Sequence, residues 1–415
     1  MLRAKFLLAC TILATLLVAT SAYASDQTRI GEGNATAIAI AGKSPAVASA
    51  FAMLKSRVAK VRNVHAREAT LDAIANPDTC VAHRAGLDAA AKSAIVRQLL
   101  DAGLLDSSDG ANFPGGLEAG VFPPLRDDGT KCPRLPQRFD SAPGSSFGSH
   151  HSYPGGLAVH EAFNQTIGMS LARDYREFYS GVAIDDDLII VPPMWHDWAK
   201  TFVYQWNSDG TEFQELPIGG NGKTDDFGAN GNSKTGGHHI LGLAEAMARA
   251  MPPEFVIAQA CAHGTPVLGA EYKVVNWIHA ASIIARVDPV ARGYLRLDAT
   301  QRQRLAAVRH TGDIGAEEKS ADMIAEDAIH NLSDANFTIA QPSITSVNSA
   351  LRALAPKFGY DPNDAATFNN SFRNPVMSAL TAERLFFILT NEGMPGLERE
   401  VRALMQRGVV ATPKN

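Results

Sequence analysis

The sequence predicts an all-α fold, and three observations predict it. Apolar residues recur at three- and four-residue steps through most of the chain. Strand signals are few and isolated. The stretches without periodicity are rich in Gly, Pro, Ser and Asp and read as connections. At 415 residues, 46% apolar and 20% charged, the chain has the profile of a globular protein with room for one large domain or two ordinary ones.

The elements follow in order. Residues 1–24 have the three-part layout of a secretory signal: Arg3 and Lys5, an apolar stretch from Phe6 to Thr20, and an A-x-A site at Ala22-Tyr23-Ala24. An uncleaved anchor is the alternative, since Phe6 to Ala24 carries no charge; Cys10 in Leu7-Leu8-Ala9-Cys10 lies too early for a lipoprotein site. On each reading the working part is expected outside the cytosol, periplasmic or secreted. Residues 25–45 read as a linker or a poorly ordered start. From Val47 to Leu105 the pattern is helical, with Phe51, Leu54, Val58 and Val61 in one stripe and Ile95 and Leu99 in another. Residues 107–149 read as a long loop that completes an N-terminal region over 25–144.

A central core is expected over 145–290. Within it, Leu188 to Val191 is the best strand signal, with buried helix as the alternative. Residues 219–237 (GGNGKTDDFGANGNSKTGG) read as a flexible flap, either a lid leading into His238 or a surface insertion. Helical patterns return in a C-terminal extension over 291–415, at Ile344 to Leu354, Met377 to Leu389 and Leu397 to Met405. No internal repeat is visible.

The net charge of −5 becomes two units more negative if Arg3 and Lys5 leave with the signal. An acidic balance argues against a broad, salt-driven grip on nucleic acid. Three cysteines then remain. Cys80 and Cys132 could pair in an oxidising compartment, leaving Cys261 free, and the spacing fits no zinc-finger pattern.

The histidines carry the chemistry. Six of twelve lie between positions 150 and 239, most beside Gly, Asp or another His. In HHSYPGGLAVHEAFNQ, from His150 to Gln165, Pro154-Gly155-Gly156 forces a turn and Leu157 opens a helix. Val159, Phe163 and Ile167 are its expected buried stripe, with His160 at the border. In Met194-Trp195-His196-Asp197-Trp198-Ala199-Lys200, adjacent His and Asp point about 100° apart on a helix and converge on an ion between them. Lys200 shares their face. Gly236-Gly237-His238-His239 opens another helix, His263 follows in Ala262-His263-Gly264, and His279 sits in the apolar run Val274 to Ile284.

In this order the motifs resemble the HD-domain metal-dependent phosphohydrolases, closest to the branch of 3′-to-5′ exoribonucleases whose first motif has the form HHAYxGGLLEHT. The resemblance covers roughly residues 145–290. It implies a helical HD core with His160 as first metal ligand, His196 and Asp197 as the central doublet, and His238 (or His239) with His263 completing a second site. The family's last ligand is an aspartate on a late helix; at that place stands His279, with Asp288 as the later alternative. Pro192-Pro193 and Ala199 also depart from the pattern, and a helix starting at the prolines would accommodate them.

The implied activity is hydrolysis of a phosphomonoester or phosphodiester by water activated on divalent ions, two of them, with Mn, Fe, Ni, Co and Zn indistinguishable by sequence. Asp197 would orient the nucleophile or accept its proton. Lys200, His150, His151 and His239 would bind the substrate, a small phosphorylated metabolite or nucleotide. A di-iron oxygenase and a non-catalytic HD binding module are the rival expectations.

Overall fold

The computed structural model describes residues 31–212, 215–220, 233–266, 271–306 and 321–413. The expected signal, with Cys10, and most of the flap expected at 219–237 lie outside these residues. The architecture is all-α. Regular strand pairing among the described residues is confined to an antiparallel ribbon of β1 (Leu295–Leu297) and β2 (Gln303–Leu305).

The N-terminal region holds α1 (Asn34–Ala41), α2 (Pro45–Val58), α3 (Val64–Ala75) and α4 (Ala89–Asp101). Side-chain caps start three of these helices: Ser44 accepts from the Val47 amide, Asn63 from Ala66 and Asp88 from Ala91. Helix α1 lies where a linker was expected. The long loop expected over 107–149 contains α5 (Gly116–Val121) and short 3-10 turns. It is tied back by the Cys80–Cys132 disulfide, whose Cα atoms are 5.2 Å apart.

The centre holds α6 (Gly156–Phe178), α7 (Asp186–Trp198), α8 (Lys200–Val203), α9 (Gly237–Ala248), α10 (Pro253–Ala260) and α11 (Glu271–Ala285). Leu188 to Val191 is buried helix, not strand. Helix α7 starts at Asp186, capped by Asp185, and runs through Pro192 and Pro193 rather than beginning at them. Next come α12 (Ala321–Asp334), α13 (Phe337–Leu354), α14 (Ala365–Phe368), α15 (Asn374–Leu380) and α16 (Ala382–Gln406), the last broken at Gly393. One apolar core runs from Ala41 to Met323 and joins the N-terminal helices to the central ones. A second, built on α13 to α16, takes in Tyr153 from the turn before α6. Among the described residues no single helix is long and apolar enough to cross a membrane.

The turn before α6 shows why its glycines are needed. His151 has a φ of 51° and turns its carbonyl inward, where a Cβ on Gly156 would meet that oxygen at 1.9 Å. Gly155, at φ 82°, abuts Val47 of α2. The turn therefore seats α6 against α2 and directs His150 and His151 toward His160.

Helix α6 corrects the expected stripe. Phe163 is 47% exposed and Val159 and Ile167 are half-buried, while His160, Glu161, Asn164 and Gln165 are fully buried. Part of this polar inner face is bonded within it and to α7: Asn164 Nδ2 lies 3.1 Å from His160 Nε2, and Gln165 donates to the Ile190 carbonyl at 2.8 Å.

Candidate metal centre

Four ligand-type groups meet where α6, α7 and α12 cross. His160 Nε2 lies 3.3 Å from Asp197 Oδ2 and 3.1 Å from Asp334 Oδ1. His196 Nε2 lies 3.0 Å from Asp197 Oδ1 and 3.6 Å from Asp334 Oδ1. With metal–ligand bonds of about 2.1 Å, neighbouring donors stand about 3.0 Å apart in an octahedron and 3.4 Å in a tetrahedron. The spacing matches the edges of such a polyhedron.

Proton placement makes the same point. A carbonyl only accepts, so the 2.8 Å contact of His196 Nδ1 with the Pro193 carbonyl puts the proton on Nδ1. Nε2 then presents a lone pair to the carboxylate oxygen 3.0 Å away. Both atoms are buried without a hydrogen-bond partner, as is His238 Nε2, 3.5 Å from the same oxygen. Lone pairs converging on one buried carboxylate suit a bound cation.

Surrounding groups fix this geometry. His330 donates from Nδ1 to the Ala258 carbonyl at 3.0 Å, leaving Nε2, 3.3 Å from His196 Nδ1, to accept. Burial, with His196 beside it, brings the His330 pKa down to about 3, so it stays neutral. Glu215 accepts from the His238 amide at 2.9 Å and contacts its Nδ1 at 2.6 Å, which turns Nε2 inward. Burial alone would raise Glu215, but His238 holds it at about 2. Lys200 Nζ, itself buried, donates to Asp197 Oδ2 at 2.5 Å and to the Gly144 carbonyl at 2.6 Å. Against the cost of its burial, His196 and Lys200 hold the Asp197 carboxyl well below the usual range. Asp334 is held down likewise by His196 and His160. Glu161 goes the other way: burial, then Asp197 and Asp334, push its carboxyl well above the usual range.

The expected site residues divide cleanly. His160, His196, Asp197, His238, His263 and Lys200 are brought together. His238 rather than His239 faces Asp197; His239 stacks on His263, with ring centroids 4.6 Å apart, and meets Trp277 edge-on. His263 is exposed, its Nδ1 2.7 Å from Thr235 Oγ1. His150 and His151 stand 5.1 and 5.0 Å from the His160 ring, and His151 Nε2 lies 3.1 Å from Glu383 Oε1. Lys200 supports Asp197 rather than facing an open substrate site.

His279 is not part of the cluster. It lines a separate surface cavity with Gln98 and Arg286, on the side of α11 away from Trp277 and His239. Asp288 is exposed and caps the turn at Val290 and Ala291. The aspartate of a later helix that does reach the cluster is Asp334, outside the 145–290 segment. Sequence reasoning also missed His330 and Glu161. His330 and Asp334, four apart on one helix face, were the available signal.

Among the described residues, two groups of three could hold a metal ion: His196, His263 and Asp334, and His160, Glu161 and Asp197. No family model matches the chain, no curated protein matches it, and no solved structure does.

Proposed function

We propose that the chain is an exported, divalent-metal-dependent phosphoesterase of the HD-domain type, hydrolysing a phosphomonoester or phosphodiester. The observation that carries this reading is the convergence of His160, His196, Asp197 and Asp334 at ligand spacing, with Lys200 bonded to the aspartate of the doublet. The order His, His-Asp, late Asp is the ligand order that the family resemblance implies, with Asp334 in the place where His279 had stood. The Cys80–Cys132 disulfide supports a location outside the cytosol.

His160, His196, Asp197 and Asp334 would hold one ion, with His238 and His263 available to a second. Bound there, such an ion supplies Lewis acidity and lowers the pKa of a water from about 15.7 toward 7. The chain's own groups supply the rest. Lys200 keeps Asp197 ionised and aimed by fixing one of its oxygens. His330 and the Pro193 carbonyl hold the His196 proton on Nδ1, so Nε2 stays a donor to the ion. Glu161, fully buried beside His160 and Asp197, offers a further carboxylate within ligand reach. His150 lies at the half-buried edge, where a neutral imidazole can bond a phosphoryl oxygen.

The test is elemental mass spectrometry on purified protein, beside phosphate and p-nitrophenol release from p-nitrophenyl and bis-p-nitrophenyl phosphate. Near two metal equivalents are expected, with turnover, and both should be lost in His196→Ala and Asp197→Ala while helix content is kept. Retained activity in both variants, or no metal after reconstitution, would sink the reading. Iron with oxygen uptake and no phosphate release would replace it with an oxygenase.

A further inference from the structure

Between α2, α6, α13 and α16 lies a cavity of about 470 Å³, within the range of small-ligand sites. Its walls include Met53, Val159, Phe163, Ile339 and Phe387. Four of these (Met53, Phe163, Ile339 and Phe387) are large apolar side chains left 36 to 53% exposed. Isolated exposed apolar side chains are ordinary, but a convergent set around one concavity marks a binding site. The outward turn of Phe163 and Val159 on α6, where an inward stripe was expected, has its explanation here.

His151 and Asn336 carry one wall of the cavity toward the candidate metal centre. His151 lines the cavity and stands 5.0 Å from the His160 ring. Asn336 also lines it, two residues beyond Asp334. Between Asn336 and Ile339, exposed Phe337 lies 6.3 Å from the His150 ring. The chain from Asp334 to Ile339 thus runs along a rim shared by both sites. Neither Lys nor Arg lines the cavity, so it offers nothing to a second phosphate.

We propose that this cavity holds the hydrocarbon part of the substrate, a single-chain alkyl phosphate whose phosphate lies at His160 and Asp334. The proposal rests on the phosphoesterase reading and names its substrate class. In the reaction one water adds across the phosphorus–oxygen ester bond, giving the alcohol and inorganic phosphate.

The experiment pairs binding with turnover on the full-length protein as purified. Ethylphosphonate and decylphosphonate, which are not hydrolysed, are titrated calorimetrically below micellar concentration. Release of phosphate from ethyl and decyl phosphate is measured in parallel. A fully buried methylene is worth about fourfold in affinity, so even partial burial of the longer chain should give decylphosphonate at least a thirtyfold advantage. Ser49, exposed on the cavity wall, provides the variant: Ser49→Trp should cut that advantage at least tenfold. Affinities within threefold of each other in the wild type overturn the proposal, as does an advantage unchanged in Ser49→Trp. Tight, Ser49-dependent binding of decylphosphonate without hydrolysis of either ester would instead overturn the phosphoesterase reading and leave the hydrocarbon site standing.

Discussion

Glu245→Gln should destabilise the metal-free protein by about 3 kcal/mol at neutral pH. Glu245 is fully buried on α9, two turns after His238, and four donors converge on its carboxylate. Oε1 accepts from the Ala82 amide at 3.0 Å and Arg249 Nε at 2.7 Å; Oε2 accepts from the His83 amide at 3.1 Å and His83 Nδ1 at 2.8 Å. Burial alone would raise the carboxyl, but His83 and Arg249 bring it down to about 2 from 4.5. That difference corresponds to about 3 kcal/mol, in line with the roughly 3–5 kcal/mol that follows removal of one partner from a buried pair. Glutamine turns an N–H toward donors that need an acceptor. The damage reaches the metal centre, because Arg249 lies over the rings of Trp195 and Trp198, which flank His196 and Asp197.

The sign of the pH effect follows from the depressed pKa. The Glu245 contribution is complete above the unfolded value near 4.5 and is lost as pH falls toward about 2. Urea unfolding of EDTA-treated wild type and variant, at several pH values from 7.5 to 3.5, reads the difference. The gap should be about 3 kcal/mol at pH 7.5 and about 2 kcal/mol at pH 3.5. A gap below about 1 kcal/mol at pH 7.5, or one that widens in acid, would refute the reasoning.

Three further outcomes are expected. Asp334→Ala should lose bound metal while His279→Ala keeps the wild-type content; elemental analysis giving the reverse would restore His279 as the ligand. His330→Phe, which removes the acceptor beside His196 Nδ1, should weaken metal affinity about 10- to 100-fold in a chelator competition, the usual cost of losing such support. Cys132→Ala opens a loop with a sequence separation of 52 and should lower stability by about 4 kcal/mol in urea unfolding, with an unchanged midpoint refuting the pairing in solution.

The helical class and half of the centre were legible because their signals are local. His160, His196 and His238 lie beside turn residues or a carboxylate, and Gly155-Gly156 announces the bend that aims α6. Asp334 was not legible for the opposite reason. It ends an amphipathic helix where His330, Asn331 and Asp334 resemble an ordinary solvated face, and nothing nearby marks them. His279 misled because it stands where the resemblance places the last aspartate, although helix geometry carries it to the side of α11 away from Trp277 and His239. On α6 the periodicity was read correctly but the wrong face was assigned inward: His160 and Asn164 bond each other and Asp334 on the inner face, while Phe163 lines the cavity outside. The prolines of α7 looked like a boundary. In the structure α7 runs through both, and the Pro193 carbonyl accepts from His196 Nδ1.

Asp334 lies 174 residues after His160 in the chain. A polypeptide that emerges amino end first therefore spends a long interval with the first three ligand-bearing groups in hand and the fourth still to come. Closing a span of that length has an entropic cost that grows only slowly with distance, so α12 can dock late at little extra penalty. An ion held by the complete set would bind only once α12 has docked, so its binding would report that the span from α6 to α12 has folded, with α13 to α16 still to be packed.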